Sequence, residues 1–164
     1  MIRKMEADDH DKLIELIAQF QVTMSRFQGR AKAPDLNAAE DDLDGYNLPN
    51  VRVFVAEVDD KELAGFLVCR IGDDVIYAES LFVLAENRRQ GVGSALYAKA
   101  ERLLEELQLG SLHNWVHPNN DRMIGFLRKR GYSVLNKIDV RRIRQGESFM
   151  QRIKVGKNAF DYSA

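Results

Sequence analysis

Cysteine is almost absent from the sequence: Cys69 is the single one among 164 residues. An internal disulfide and a zinc site built from several cysteines are therefore excluded. Cys69 lies within the apolar run GFLVCRI, so we expect a buried, unreactive thiol there rather than a nucleophile.

Long apolar runs are also missing. No stretch reaches the roughly 20 apolar residues that cross a bilayer, and the opening MIRKMEADDHDKL lacks the apolar core of a signal peptide. A cytoplasmic protein is therefore expected. The net charge of −1 gives no reason to expect nucleic acid or a membrane as the main partner.

The charges are nevertheless segregated along the chain. Five acidic residues and no basic one lie between Asp35 and Asp44, whereas seven basic and two acidic residues lie between Lys137 and Lys157. Two solvated faces are the simplest interpretation. The alternatives are a surface that attracts cations at the acidic stretch, and a surface for anions or self-association at the basic one.

The spacing of apolar residues predicts several strands and helices. A short strand, IRKME, precedes a helix that starts at Asp8 or Asp9 and ends at Gly29, and residues 37–43 form a second, short helix. Three strand-like runs joined by tight polar turns then predict an antiparallel meander: VRVFVAEV, LAGFLVCRI and VIYAESLFVL.

Beyond the meander, a helix with an apolar stripe begins near Gly93 or Ser94 and is closed by Gly110 at its C′ position. The run SLHNWV follows as a strand. A further helix, capped by Asn119 or Asn120, ends at Gly131.

Two more strands are predicted near the C terminus, YSVLNKIDVRRI and FMQRIKV. This succession of strands and helices predicts a single α/β domain over residues 1–164. The C-terminal strand and tail occupy about residues 134–164 of it.

A glycine-containing loop, RRQGVGSALY, joins the third strand of the meander to the following helix. Glycines let successive backbone N–H groups point the same way, and the helix adds unpaired N–H groups and the positive end of its dipole. Such a loop suits a diphosphate. A dinucleotide site fits poorly because Leu96 stands where a third glycine belongs, and no Gly-Lys-Ser/Thr completes a Walker A loop.

Two segments together resemble the GNAT superfamily of acetyl-CoA-dependent N-acetyltransferases. R-x-x-G-x-G, from Arg88 to Gly93, resembles the loop that binds the acyl-CoA pyrophosphate in that family. NDRMIGFLRKRGY, from Asn120 to Tyr132, resembles the helix that an asparagine opens and a Gly-aromatic pair closes.

The resemblance covers Ile2 to about Val140. It implies an α/β fold (α+β in some schemes) with a mixed, mostly antiparallel central sheet, helices on both faces, and a splayed strand pair that forms the CoA cleft. The resemblance implies acetyl-CoA as co-substrate and no metal. It also implies that the backbone amide of Val83 donates a hydrogen bond to the thioester oxygen and stabilises the oxyanion. The residues implied to hold acetyl-CoA are Leu81, Phe82, Val83, Arg88, Arg89, Gln90, Gly91, Val92, Gly93, Ser94, Asn120 and Phe126.

Acetylation of an amine needs a base, because an alkylamine with a pKa near 10.4 is protonated at neutral pH. Glu79 is the candidate. Its strand resembles that of polyamine acetyltransferases, in which an acidic residue at this place is implicated in deprotonating the substrate. Glu79 lies four residues before Val83, which predicts the same face of the strand. The alternative is an exposed strand carboxylate. His117 is the second candidate for the base. His113 and His117 lie four residues apart, but we do not expect this pair to bind a metal.

The sequence departs from the family at the general acid. Many members have a tyrosine seven residues after the asparagine, where this sequence has Leu127. The departing thiol has a pKa near 8.5, so protonation of its thiolate at neutral pH is favourable by only about 2 kcal/mol. Water, Tyr97 or Tyr132 could therefore supply the proton.

The activity implied is transfer of an acetyl group to a primary amine by direct attack. A polyamine, a lysine side chain or a protein N-terminus is the favoured acceptor because of the acidic stretch. Leu127 motivates the alternative of a catalytically weak acyl-CoA-binding regulatory module, and a structural domain whose glycines only make a turn is a third interpretation. Strand patterning in the basic tail is compatible with a homodimer.

Overall fold

A computed structural model describes residues 1–162 of the chain, apart from the side chain at position 60. The last two residues of the predicted tail lie outside this described part. The described residues fall into two units. The first comprises Met1–Thr23 and Lys32–Trp115, and the second comprises Met24–Ala31 and the chain from Val116 onward.

The first unit is built on a five-stranded sheet. Its strands are β1 (Ile2–Lys4), β2 (Val51–Glu57), β3 (Leu63–Ile71), β4 (Val75–Val83) and β5 (Ser111–Asn114). They follow one another across the sheet in chain order, with antiparallel pairing from β1 to β4 and parallel pairing between β4 and β5. The predicted meander is confirmed, and the sheet is mixed but mostly antiparallel.

Helices cover both faces of this sheet, as predicted. They are α1 (His10–Phe27), whose last turn belongs to the second unit, α2 (Leu36–Tyr46) and α3 (Val92–Glu106). Buried side chains of α1 and α2 pack against Val55, Phe66 and Val68. Side chains alternate along a strand, so Phe54 points to the opposite face, where it lines a cavity of about 170 Å³ with Leu103 of α3.

Two helix boundaries differ from the prediction. Asp9 does not cap α1 but lies in a short 3₁₀ turn before it, where the guanidinium of Arg3 binds both of its carboxylate oxygens at 2.6 and 2.8 Å and lowers the pKa of that carboxyl. At the end of α3, Gln108 takes the left-handed position with φ +54°, instead of Gly110. Gly110 instead donates its N–H to the Asp74 carboxylate at 2.8 Å.

The second unit contains one helix that follows its sequence signals. Helix α4 (Asp121–Lys129) is capped by Asn120, whose side chain accepts the backbone N–H of Met123 at 3.1 Å. Gly131, with φ +90°, follows its C-terminal cap, and the backbone N–H of Tyr132 donates to the carbonyl of Leu127 at 3.0 Å.

The C-terminal strands of the second unit form only a hairpin, made of β6 (Gln151–Val155) and β7 (Asn158–Tyr162). The long strand predicted from YSVLNKIDVRRI is wrong, because residues 132–143 have no regular secondary structure. A strand needs a hydrogen-bonded neighbour, and none of the described strands pairs with this segment. Local bonds shape the chain instead: Arg141 binds both carboxylate oxygens of Glu147 at 2.8 and 2.9 Å.

Within residues 1–162, no helix combines the length and the apolar character needed to cross a membrane.

Close contact between β3 and β4 generates a stability prediction. A Cβ atom on Gly65 would lie 2.4 Å from the backbone oxygen of Phe82, which cannot move without displacing β4. Gly65→Ala should therefore lower the free energy of unfolding by about 1–3 kcal/mol, the usual cost of overpacking. Urea denaturation at constant pH measures the change.

Gly125→Ala is the matched control. Gly125 lies inside α4, and a Cβ atom there would meet nothing within 4 Å. This substitution should stabilise the protein by about 0.5–1 kcal/mol, because alanine favours the helix over glycine. Unfolding midpoints that fall equally in both variants would contradict the steric explanation.

Candidate active site

Strand β4 has one open edge in its C-terminal half. β5 pairs only with Val75–Ala78, and the last bond between the two, from the N–H of Trp115 to the carbonyl of Ala78, is already stretched to 3.4 Å. Among the described strands, none pairs with Leu81–Val83 on that side. The two parallel strands thus separate, as the predicted splayed pair requires.

Backbone groups of Val83 point towards this open edge. The N–H of Leu84 bonds the carbonyl of Ala64 at 2.9 Å, so Ala64 and Leu84 form a hydrogen-bonded pair. Such pairs alternate along an antiparallel ladder, and Val83, opposite Gly65, is therefore in a pair without mutual bonds. Its N–H and C=O lie in the sheet plane and point away from β3, and the same holds for Leu81.

The loop after β4 is braced against this edge by Arg88. Its Nε donates to the carbonyl of Val83 at 2.7 Å, and its guanidinium lies 5.7 Å from the ring centre of Phe82. Arg88 therefore fixes the loop to the strand, and its charge is shared with that carbonyl. Arg89 and Gln90 are exposed.

Left-handed residues shape the loop into a turn before α3. Arg89 has φ +64° and Gly91, the N-cap of α3, has φ +85°. The first intrahelical bond of α3 runs from the N–H of Ala95 to the carbonyl of Gly91. The N–H groups of Val92, Gly93 and Ser94 thus have no acceptor within the helix, at the positive end of its dipole. Backbone of this shape binds anions.

Glu79 lies in a β-bulge, which the sequence did not reveal. Val68 pairs with Ser80 and Cys69 with Ala78, so Glu79 has no residue opposite. The extra residue changes the alternation along β4. Glu79 is therefore not on the same face as the side chain of Val83, and that prediction is wrong. Val83 faces α3, since its Cγ2 lies 3.7 Å from where a Cβ of Gly93 would stand.

On the α1–α2 face, Glu79 is held by a residue that sequence reasoning missed. The guanidinium of Arg70 donates to both oxygens of Glu79, from Nε to Oε1 and from Nη2 to Oε2 at 3.1 Å. The Glu79 side chain is 8% exposed and that of Arg70 is 30% exposed. A carboxylate has about four acceptor positions, so the pairing fixes the orientation of the Glu79 side chain and leaves lone pairs for another donor.

Tyr46, at the end of α2, is a second missed residue beside Glu79. Its hydroxyl is hydrogen-bonded to the side chain of Ser80, which is 7% exposed, and Glu79, Arg70 and Asp42 act on it electrostatically. Burial raises the pKa of Tyr46. The hydroxyl consequently keeps its proton at neutral pH. No sequence signal identifies these neighbours, because their proximity depends on the bulge and on the packing of α2.

Tyr97, considered as a proton donor, and Cys69, the single cysteine, are both buried in the first unit. Tyr97 is fully buried, and its hydroxyl donates to the Asn114 side chain at 2.8 Å. Cys69 is fully buried as expected, and burial raises the pKa of its thiol to about 12.

The remaining predicted site residues belong to the second unit. Leu127 is buried in α4, and the Phe126 ring lies 5.3 Å from the guanidinium carbon of Arg130. Asn120 acts as the N-cap described above. The ring of His117 stacks on Phe27, and its Nδ1 accepts the N–H of Asn119 at 3.2 Å.

The protonation state of His117 follows from these contacts. Because Nδ1 accepts a hydrogen bond, the neutral ring carries its proton on Nε2. Burial lowers the pKa of His117, which favours the neutral form. A role as base would need the other tautomer. Within the described chain, no cluster of three or more potential metal ligands is found.

Comparison with known proteins identifies the family of the chain. Residues 17–132 match the model of the Acetyltransferase (GNAT) family. The uncharacterized protein YxbD of Bacillus subtilis (strain 168) is 30% identical over 94 residues, which are 57% of this chain and 53% of that protein. The match thus spans about half the length of that curated relative.

Solved structures share the fold at low sequence identity. The BH1408 protein from Bacillus halodurans, solved as a tetramutant, superposes with a TM-score of 0.72 and 15% identity, covering 87% of this chain and 99% of that one. The aminoglycoside N-acetyltransferase AAC(6')-Iy, in complex with the bisubstrate analogue CoA-S-monomethyl-acetylneamine, has a TM-score of 0.68 and 20% identity, covering 88% and 97%. Since the family model covers most of the chain, this protein belongs to the GNAT acetyltransferase family.

Proposed function

We propose that this protein is an acetyl-CoA-dependent N-acetyltransferase that acts on a primary amine by direct attack. The observation that carries the proposal is the continuity between the open edge of β4 and the turn before α3. Together they offer a row of in-plane backbone groups followed by unpaired N–H groups at a helix N-terminus. Such a row suits a ligand with an amide-containing arm and a diphosphate, as acyl-CoA has.

In this proposal, acyl-CoA is bound mainly by backbone groups. Leu81 and Val83 offer hydrogen bonds to the arm, and the amide of Val83 stabilises the negative charge that develops on the thioester oxygen. The N–H groups from Val92 to Ser94 bind the diphosphate, with Arg89 and Gln90 exposed beside them. Phe82, predicted to contact the arm, does not do so, because its backbone groups face Phe66 on β3 and its side chain is buried in the core.

On the acceptor side, Glu79 carries the chemistry. Its carboxylate takes a proton from the ammonium, directly or through water, and the neutral amine attacks the carbonyl carbon. The nitrogen then loses its second proton to water as the carbon–sulfur bond breaks and the amide forms, and the thiolate takes up a proton. Arg70 orients Glu79 for this step without protonating it.

A cationic acceptor is favoured by the charge around α2. Glu40, Asp41 and Asp44 are exposed along this helix, whereas Asp35 caps it and Asp42 accepts the side-chain N–H of Gln21 at 2.8 Å. The first three are thus free of these structural roles. The acceptor class of AAC(6')-Iy, a compound with several amines, supports the same choice.

The alternative of a catalytically weak acyl-CoA-binding module rests on the buried Leu127 in place of a tyrosine. An assay of acetyl transfer to a panel of polyamines, peptides and aminoglycosides separates the two. Turnover of any amine supports the enzyme, while acetyl-CoA binding without transfer to the whole panel supports the module. No binding of acetyl-CoA in calorimetry would contradict both.

Acyl-CoA binding can be tested without disturbing the fold. Ser94→Asp places a negative charge in the first turn of α3, where it favours the helix but repels a diphosphate. The affinity for CoA should fall at least about tenfold, corresponding to about 1.4 kcal/mol, while thermal stability is unchanged or higher. Gln19→Glu, which adds the same charge at an exposed site of α1, is the control for calorimetry and melting. Equal affinities in both variants would refute the loop as the diphosphate site.

The role of Glu79 predicts a change in pH dependence. Glu79→Gln should lower kcat at pH 7 by about 100-fold, a usual contribution of a general base. Part of the rate should return as the pH approaches the amine pKa near 10.4, because the acceptor then deprotonates without help. The control is Glu86→Gln, which neutralises an exposed carboxylate seven residues further along. A pH–rate profile of Glu79→Gln parallel to that of the unaltered protein would remove Glu79 from this role.

Tyr46 is the proposed proton donor to the thiolate. Tyr46→Phe should lower kcat about tenfold at pH 7, less than the ~100-fold typical of general acids because a thiol pKa near 8.5 makes protonation only mildly necessary. The deficit should shrink above pH 8.5, where the thiolate leaves without a proton. Tyr77→Phe is the control, because this tyrosine lies on β4 with its ring against His113 and Trp115. A deficit that is constant with pH would indicate a packing role instead.

A further inference from the structure

A cavity of about 170 Å³ lies on the α3 face of the sheet and is here called the β1–α3 cavity. Its apolar lining comes from two buried side chains, Phe54 of β2 and Leu103 of α3. The rest of its lining is charged and consists of Lys4, Lys99, Arg102 and Glu106. All of these residues belong to the first unit. The cavity thus combines an apolar surface with a group of charges.

Strand pairing and helix periodicity bring the basic side chains to this cavity. Lys4 lies directly opposite Phe54 in the ladder between β1 and β2, so the two side chains are on the same face of the sheet. On α3, Lys99 precedes Arg102 by three residues and Leu103 by four, a spacing that places all three on one side of the helix. The strand and the helix therefore supply positive charge from two directions.

The positive charges of the β1–α3 cavity are not compensated. Within residues 1–162, the side chains of Lys4, Lys99 and Arg102 form no ion pair or hydrogen bond with a described side chain. Glu106 follows Arg102 by four residues on α3, yet the two side chains are not paired either. Three positive charges therefore face a single negative one, and an excess of one sign in a concave surface attracts ions of the other sign.

The volume and the apolar lining limit the kind of anion that fits. A cavity of about 150 Å³ holds a benzene molecule, so the β1–α3 cavity has room for one aromatic ring. A small inorganic anion would leave Phe54 and Leu103 without an apolar contact, and a neutral ring would leave the cations without a counter-charge. A molecule that has both a ring and an acidic group meets both requirements.

We propose that the β1–α3 cavity is a binding site for a small aromatic carboxylate. Its ring packs against Phe54 and Leu103, and its carboxylate receives the planar guanidinium of Arg102, which matches two oxygens at once. The ammonium groups of Lys4 and Lys99 add positive charge around the same oxygens. The carboxylate of Glu106 disfavours a second negative charge on the ligand, which selects a monoanion.

This site is separate from the proposed sites for acetyl-CoA and for the acceptor. The sheet lies between the β1–α3 cavity and Glu79, which is on the α1–α2 face. Along α3, Arg102 is eleven residues from the N-cap Gly91, or roughly 16 Å at about 1.5 Å per residue. Binding at the cavity is therefore independent of the proposed function, and either proposal can fail without the other.

Titration with benzoate, followed by NMR, tests the ligand class. Benzoate should bind with a dissociation constant on the order of 1 mM, since so small a ligand has few atoms with which to bind. The signals of the Leu103 methyl groups and of the Phe54 ring should shift. Benzyl alcohol, which lacks the charge, and acetate, which lacks the ring, should each bind at least about tenfold more weakly. No binding of benzoate, or equal binding of benzoate and either control, would overturn the proposal.

Two exposed residues of α3 allow changes of opposite sign at the same cavity. Arg102→Gln should weaken benzoate binding at least about tenfold, and Arg102→Lys by about threefold, because lysine keeps the charge but loses the planar fork. Glu106→Gln should strengthen binding by about two- to threefold, because it removes the one repulsive charge. Lys154→Gln, an exposed change on β6, is the control for net charge and should have no effect.

These outcomes also distinguish the cavity from the other anion site on α3. Opposite effects of Arg102→Gln and Glu106→Gln support the proposal, because a damaged fold would weaken binding in both variants. Ser94→Asp, which repels an anion from the N-terminus of the helix, should leave benzoate binding unchanged. Loss of benzoate binding in Ser94→Asp, or an unchanged affinity in Arg102→Gln, would overturn the proposal.

Discussion

The pairing of β3 with β4 is the constraint on which the site depends. Hydrogen-bonded pairs alternate along this ladder, and the bulge at Glu79 shifts the alternation by one residue. On one side of the bulge, side chains of β4 turn towards α1 and α2. Beyond it, the backbone of Leu81 and Val83 points in the sheet plane towards the open edge. The single inserted residue, Glu79, therefore lies between two different regions of β4. Side chains before the bulge face α1 and α2, and backbone groups beyond it face the open edge.

Arg88 shows how the loop depends on that same edge. Its guanidinium ties the turn to the carbonyl of Val83 at 2.7 Å, so the helix N-terminus of α3 keeps a fixed position relative to the strand. The motif arginine is usually considered for its charge towards a diphosphate. In this chain it holds the loop against β4, and the proposed anion site consists mainly of N–H groups. Backbone sites of this kind tolerate uncharged substitutions at positions such as Gln90 and Val92.

Local sequence patterns predicted most of the helices and strands. Contacts between residues far apart in the sequence could not be predicted from such patterns. Asn120 and Gly131 set both ends of α4 because capping acts over a few residues. The meander followed from alternation and turn chemistry. The bulge, the contact of Arg70 with Glu79 and the position of Tyr46 depend on register and packing, which no local pattern encodes. The strand predicted at residues 132–143 is absent for a related reason: alternation describes a surface that suits a sheet, and the partner strand is a separate requirement.

The Arg70–Glu79 pair bears on which acceptors the site can use. A carboxylate that is both ionised and held by a guanidinium attracts an ammonium less strongly than an isolated one, since the pair is neutral overall. Long-range attraction of a cationic acceptor therefore has to come from elsewhere, and the exposed carboxylates of α2 are placed in the same unit to provide it. In the proposed mechanism, recruitment of the acceptor and proton transfer are thus divided between two sets of carboxylates. Salt should weaken the attraction of a cation to the solvent-exposed carboxylates of α2 far more than its interaction with Glu79, which is shielded by the sheet and by Arg70.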